Sequence, residues 1–185
     1  NLAISMAKLG KKVGILDADI YGPNIPRMLD EVNTQPQVVG NKLKPILSHG
    51  VEMMSMGVLM EEGMSLIWRG SMIMKAIEQL LRDVLWSDLD VLFLDMPPGT
   101  GDVALTVFQS LPVEGVVIVS SPQDLVQMVV GKAVRMAEMM HVPVLGLIEN
   151  MAYITCPHCD ERIEPYGPSK LAETAAAFNL KPLGQ

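Results

Sequence analysis

Five short apolar runs recur along the chain, at residues 13–16, 51–56, 91–94, 116–119 and 144–148, built mostly from Val, Ile, Leu and Met. Near-continuous runs of this kind suit strands covered on both faces, as in a parallel sheet. Between them the period changes. Met72, Ile73, Ala76, Ile77, Leu80, Leu81, Val84 and Leu85 fall at helical spacing with Lys75, Glu78, Gln79 and Arg82 between them, which predicts an amphipathic helix over 72–85. Further helices are predicted over 125–140 and over 169–178, the latter with Ser169 as N-cap, and a first one over residues 1–10 that closes at Gly10. Lys181-Pro182-Leu183-Gly184-Gln185 reads as the approach to another strand. Residues 21–50, with Pro23, Pro26, Pro36 and Pro45, form the main irregular insertion. Strand alternating with helix predicts an α/β fold, a doubly wound and mostly parallel sheet in a single domain over 1–185, with ligands bound beyond the carboxyl ends of the strands.

Composition narrows the function classes. The 185 residues are 49% apolar with a formal net charge of −7, and the mean hydropathy is +0.30. An acidic balance argues against a general nucleic-acid surface, so no nucleic-acid partner is expected. No apolar run approaches the roughly 18–20 residues that cross a bilayer, and no stable membrane association is expected. A cytoplasmic setting is the expectation. Asn1 opens inside a predicted helix and Gln185 closes on the way into a strand, so both ends are expected to be cut, and a targeting peptide would lie upstream. The 15 methionines are read as gap-fillers at core-like positions such as Met72, Met136 and Met140. His49 and His141 have no ligand partners near them in sequence and are read as structural.

Three stretches carry candidate chemistry. Asp95-Met96-Pro97-Pro98-Gly99-Thr100-Gly101-Asp102 follows a buried strand directly, so an acid at the strand's carboxyl end is followed by glycines that let backbone approach a phosphate. The first strand also runs into acids, in Asp17-Ala18-Asp19. With a two-residue period both would face the same side, where two carboxylates repel unless a cation or water network separates them. The competing reading is a pair of solvated acids opening a turn. Cys156-Pro157-His158-Cys159 is the third. Two thiolates at this spacing can share a metal or cluster, but a full site needs four ligands, so two per chain suit a site shared across a twofold axis. Zinc, a redox dithiol and two inert thiols stay open on chemistry alone. Trp68-Arg69-Gly70 reads either as a phosphate or partner contact or as a surface loop with a packed Trp.

Together with Asp17-Ala18-Asp19-Ile20-Tyr21-Gly22-Pro23-Asn24, Ser121-Pro122-Gln123-Asp124 and Glu149-Asn150-Met151, these segments occur in an order and spacing that resembles the Mrp/ApbC-type iron–sulfur cluster carrier ATPases. That family sits in the deviant P-loop NTPase group with MinD/ParA and the nitrogenase iron protein. The resemblance covers essentially the whole chain. It implies a P-loop NTPase type of sheet in which Asp19 is the switch I acid acting on water, Asp17 supports the magnesium site, Asp95 is the Walker B acid, Gly99 is a switch II donor to the terminal phosphate, and Asn150 bonds the adenine edge. It implies ATP and Mg2+ as cofactors. It also implies a 4Fe-4S cluster held by Cys156 and Cys159 of both chains of a homodimer, with apo iron–sulfur proteins as clients. The glycine-rich phosphate loop is expected immediately before Asn1, so this piece alone is expected to be inactive and to bind ATP poorly. Asn24 and Ala152 replace serines usual in the family.

The function expected is therefore an ATP-hydrolysing carrier that transfers a bridged cluster to apo-proteins. A MinD/ParA-like positioning ATPase and a zinc-bridged dimeric scaffold are the alternatives.

Overall fold

A computed structural model describes residues 1–20, 22–59, 70–123 and 126–185. Helix α1 (Leu2–Lys8) leads into strand β1 (Val13–Asp17), then helix α2 (Ile25–Met28), the short strands β2 (Val38–Val39), β3 (Lys42–Leu43) and β4 (Ile46–Ser48), and strand β5 (Val51–Ser55). A 3-10 turn (Met56–Val58) closes β5; helix α3 (Gly70–Arg82), strand β6 (Val91–Asp95), helix α4 (Asp102–Ser110) and strand β7 (Val116–Ser120) follow. The remainder is helix α5 (Val126–Met139), strand β8 (Val144–Glu149), the pair β9 (Ile154–Thr155) and β10 (Arg162–Ile163), helix α6 (Leu171–Ala177) and strand β11 (Pro182–Gly184). All five predicted strands are present, each within a residue or so of its predicted bounds. The closing segment does form a strand.

The chain packs as two compact units, Asn1–Pro98 with Asp102–Thr106 and Gly99–Gly101 with Val107–Gln185. In the first, a four-stranded sheet runs in the order β4-β5-β1-β6. Strand β1 lies parallel to both β5 and β6, and only β4 runs antiparallel. Alternation along β1 divides its side chains between two apolar layers. Leu16 packs with Met53, Met54, Leu29 and Leu80, and Val13 and Ile15 pack with Ala3 and Val51. Both faces of the sheet are thus dry, and each large side chain so buried contributes roughly 1.5–3 kcal/mol. Among the described residues the buried methionines are Met53 and Met54, whereas Met72 is half exposed, so there the gap-filling role falls on strand β5 and not on that helix position.

In the second unit β11, β8 and β7 form a parallel three-stranded sheet. Leu147 and Ile118 pack there against Val130 and Val134 of α5 and Leu171 and Ala175 of α6. Strand β8 bends at Gly146, whose φ of 154° suits glycine and whose missing side chain admits the Lys181 carbonyl.

Three local expectations need correction. The helix predicted to Leu85 ends at Arg82, because the Asp83 carbonyl and the Leu85 N–H are taken by Leu43 of β3. Lys170, not Ser169, is the N-cap of α6; the Ser169 hydroxyl still accepts from Leu171 N–H at 3.3 Å. The 21–50 insertion is less irregular than expected, since it holds α2, a β2–β3 hairpin and β4. His49 and His141 both occupy turn positions with positive φ, as suits structural residues.

Candidate functional site

The carboxyl ends of the parallel strands β5, β1 and β6 line up as a row. Asp17 is in register with Ser55 on one side and with Asp95 on the other. Strand β1 ends at Asp17, so the two-residue period does not reach Asp19. The reason is local: the Asp17 Oδ1 accepts the Asp19 N–H at 3.1 Å, and this side-chain to backbone turn breaks the extended chain. The Asp17 Oδ2 accepts the Ile25 N–H at 3.2 Å and the Ser55 hydroxyl at 3.1 Å. Asp17 is 1% exposed. It is a buried anchor, neither one of two solvated acids nor a neighbour of Asp19 on the ligand-facing edge.

Asp19 then organises the turn that follows. Its Oδ1 accepts the Gly22 N–H at 3.0 Å, and the Ala18 N–H donates to the Asp95 carbonyl at 2.9 Å, tying the turn to β6. Burial pushes the Asp17 carboxyl above the usual carboxylate range, and the charge of Asp95 adds to this against the three hydrogen bonds it accepts. Asp95 is raised for the same two reasons, desolvation first and repulsion from Asp19 second. Asp95 and Asp19 are a repelling pair of hard oxygen donors at the end of the sheet, a pairing that suits the water shell of a divalent cation.

Gly99 adopts φ 95°, a left-handed conformation that favours glycine, and a Cβ there would meet nothing within 4 Å. Its loop leads to Gly101, the N-cap of α4. The sequence reading missed α4 itself, because the Pro-Pro-Gly run masks its start.

In the second unit the end of β8 carries Glu149 and Asn150. Asn150 is exposed, its N–H bound to the Ser120 carbonyl at 2.7 Å and its Oδ1 accepting Met151 N–H at 3.0 Å. Glu149 is 1% exposed. It accepts the Lys170 N–H at 2.8 Å and the Gln185 side-chain amide at 3.2 Å, so it braces the backbone beside Asn150. Four residues after Asn150, β9 begins, and with β10 it forms an antiparallel hairpin whose loop holds both cysteines. Cys156 N–H donates to the Glu161 carbonyl and its own carbonyl accepts from Asp160 N–H, which closes a tight knuckle with Asp160 at φ 58°. Both thiols are free, Cys159 exposed and Cys156 partly so. The N–H groups of His158 and Cys159, with the Cys159 thiol, pull Cys156 below the usual thiol range and favour the thiolate that binds metal. Among the described residues no three His, Cys, Asp or Glu side chains come together as a metal site, so the knuckle supplies a pair.

Trp68, Arg69 and Asp124 lie outside the described residues. The residues that sequence reasoning missed are Ser55 and Gly57; Glu149 was read as part of the Glu149-Asn150-Met151 segment but given no role of its own. Ser55 was signalled only as a polar residue near the end of an apolar run.

Among the described residues no helix is long and apolar enough to cross a membrane. A mostly parallel α/β sheet with acids at the ends of two adjacent strands and a glycine loop before a helix has the layout of a P-loop NTPase-like fold. The comparisons bear this out. An Archaeoglobus fulgidus nucleotide-binding protein, solved in complex with ADP, superposes with a TM-score of 0.83 at 42% identity over 98% of this chain and 71% of its own. The cell division ATPase MinD of Pyrococcus furiosus shares the fold at a TM-score of 0.63 and 18% identity. The family described as NUBPL iron-transfer P-loop NTPase, of ParA type, matches residues 1–185, and the chain belongs to it. It is 45% identical to the iron–sulfur cluster carrier protein of Helicobacter pylori, over all of this chain and 51% of that protein. It is likewise 45% identical to the iron–sulfur cluster transfer protein NUBPL of Mus musculus, over all of this chain and 58% of that one. The chain thus spans about half the length of the curated relatives it matches.

Proposed function

We propose that the protein is an iron–sulfur cluster carrier whose handling of the cluster is governed by ATP hydrolysis. The observation that carries this is a two-thiol knuckle in a chain matched along its whole length by the iron-transfer NTPase family. Two thiolates are half of a four-ligand set, and a second copy of the chain completes it, giving a 4Fe-4S cluster bridged across a homodimer. The cluster is cargo, and apo iron–sulfur proteins are its recipients. A cytoplasmic location goes with this reading.

On the nucleotide side, Asp95 would hold Mg2+ through its water shell, and the family resemblance gives Gly99 a donor role to the terminal phosphate and Asn150 a bond to the adenine edge. The cation supplies charge neutralisation at the phosphates. The work of this chain's residues is placement. Asp19 orients the attacking water and receives its proton, and Asp17, out of reach of solvent, holds the turn on which Asp19 sits. Asp17 is therefore a positioning residue in this scheme, not a second catalytic acid.

Asp19→Ala in the full-length protein is expected to lower ATP turnover by about 100-fold or more while nucleotide affinity stays within a few-fold, as general-base and water-orienting groups do. Steady-state hydrolysis alongside nucleotide titration measures both. Unchanged turnover removes Asp19 from the role.

A further inference from the structure

Asp17 is held from behind by a residue with no assigned part in nucleotide chemistry. Ser55 is fully buried at the end of β5, in register with Asp17. Its hydroxyl accepts the Gly57 N–H at 3.0 Å and sits 3.1 Å from Asp17 Oδ2. A hydroxyl has one proton, and Asp17 is the acceptor beside it, so the Gly57 bond on its lone pair leaves that proton directed at the carboxylate. The same carboxylate grips both ends of the loop carrying Asp19, through the N–H groups of Asp19 and Ile25. A second contact presses on the loop from the same turn. A Cβ on Gly57 would come within 2.9 Å of two ring carbons of Pro23, so the turn after β5 packs directly against the loop.

We propose that Ser55 is a positioning residue for ATP hydrolysis: by fixing the Asp17 carboxylate it fixes the 18–25 loop and hence the place of Asp19. Ser55 touches no reacting atom and acts only through Asp17. The inference rests on the ATPase reading above. It differs from a plain stability role in what it makes variable, since a displaced Asp19 slows the chemical step and leaves nucleotide binding in place.

The test compares Ser55→Ala with Ser48→Ala in the full-length protein. Ser48 is also a buried serine of the same sheet, and its hydroxyl bonds the Leu29 carbonyl, away from Asp17. Ser55→Ala is expected to lower kcat for ATP about 10-fold with KM within about two-fold, and Ser48→Ala to keep kcat within about two-fold, both at a temperature where each variant is folded by its melting curve. Should Ser55→Ala fail to fold, Ser55→Cys, a somewhat larger group with a weaker donor, is expected to show the same split. A kcat for the Ser55 variant equal to wild type, or a loss matched by Ser48→Ala, overturns the inference. A wild-type protein that does not hydrolyse ATP overturns the ATPase reading instead.

Discussion

At the scale of single residues, the acids at the sheet edge divide their labour by environment. Asp17 is sequestered and saturated with protein donors, whereas Asp95 is exposed at the surface yet crowded by Asp19. A carboxyl raised in the folded state binds its proton more tightly there than in the unfolded chain. Stability from such a group is fullest below about pH 4 and falls as pH rises through the folded value. Asp95→Asn is therefore expected to raise the melting temperature at pH 8, without nucleotide or magnesium, by about 1–3 °C after allowance for solvent screening. The gain should shrink as pH falls toward 4; an Asn variant that melts lower than wild type at pH 8 contradicts it. The identity of these acids was legible in the sequence because each follows an apolar run. The division between Asp17 and Asp19 was not, because it depends on where β1 stops, and that is set by a bond from Asp17 to the backbone two residues on. Ser55 was hidden for a related reason: its partner lies on another strand, 38 residues away.

At the scale of elements, the parallel strands were readable because burial on both faces demands unbroken Val, Ile and Leu runs. The short pieces were not. Strands of two residues, such as β9 and β10, have no period to read, so the hairpin presenting the cysteines came from the structure while the cysteine spacing came from the sequence. Likewise α3 stops where Leu43 captures the backbone of residues 83 and 85, a contact between distant segments. Strand β8 offers a sharper check on element geometry. Gly146→Ala would place a Cβ within 2.5 Å of the Lys181 carbonyl oxygen, a backbone atom that cannot swing aside, at a φ that side chains avoid. The expected cost is about 2–4 kcal/mol, from strain and overpacking together, read as a lower denaturation midpoint. An unchanged midpoint would mean that the β8–β11 pairing adapts at little cost. Because β8 leads directly into Asn150 and the cysteine hairpin, the same variant should also weaken cluster retention.

At the scale of the whole molecule, the order of motifs identified the family from sequence, and the match along 1–185 with the ADP-bound relative at a TM-score of 0.83 agrees. MinD shares the fold at 18% identity, and it is the thiol knuckle on which the proposed cluster handling, as against positioning, rests. The central claim is that two chains pool four cysteines around one cluster. Anaerobic reconstitution of the full-length protein with iron and sulfide, followed by metal analysis and mass measurement on the eluting species, tests it directly. The account predicts a brown dimer with about four iron and four sulfide per two chains, lost together with the colour in Cys156→Ala. Uptake of zinc alone, or a cluster held by a single chain and insensitive to Cys156→Ala, would contradict it.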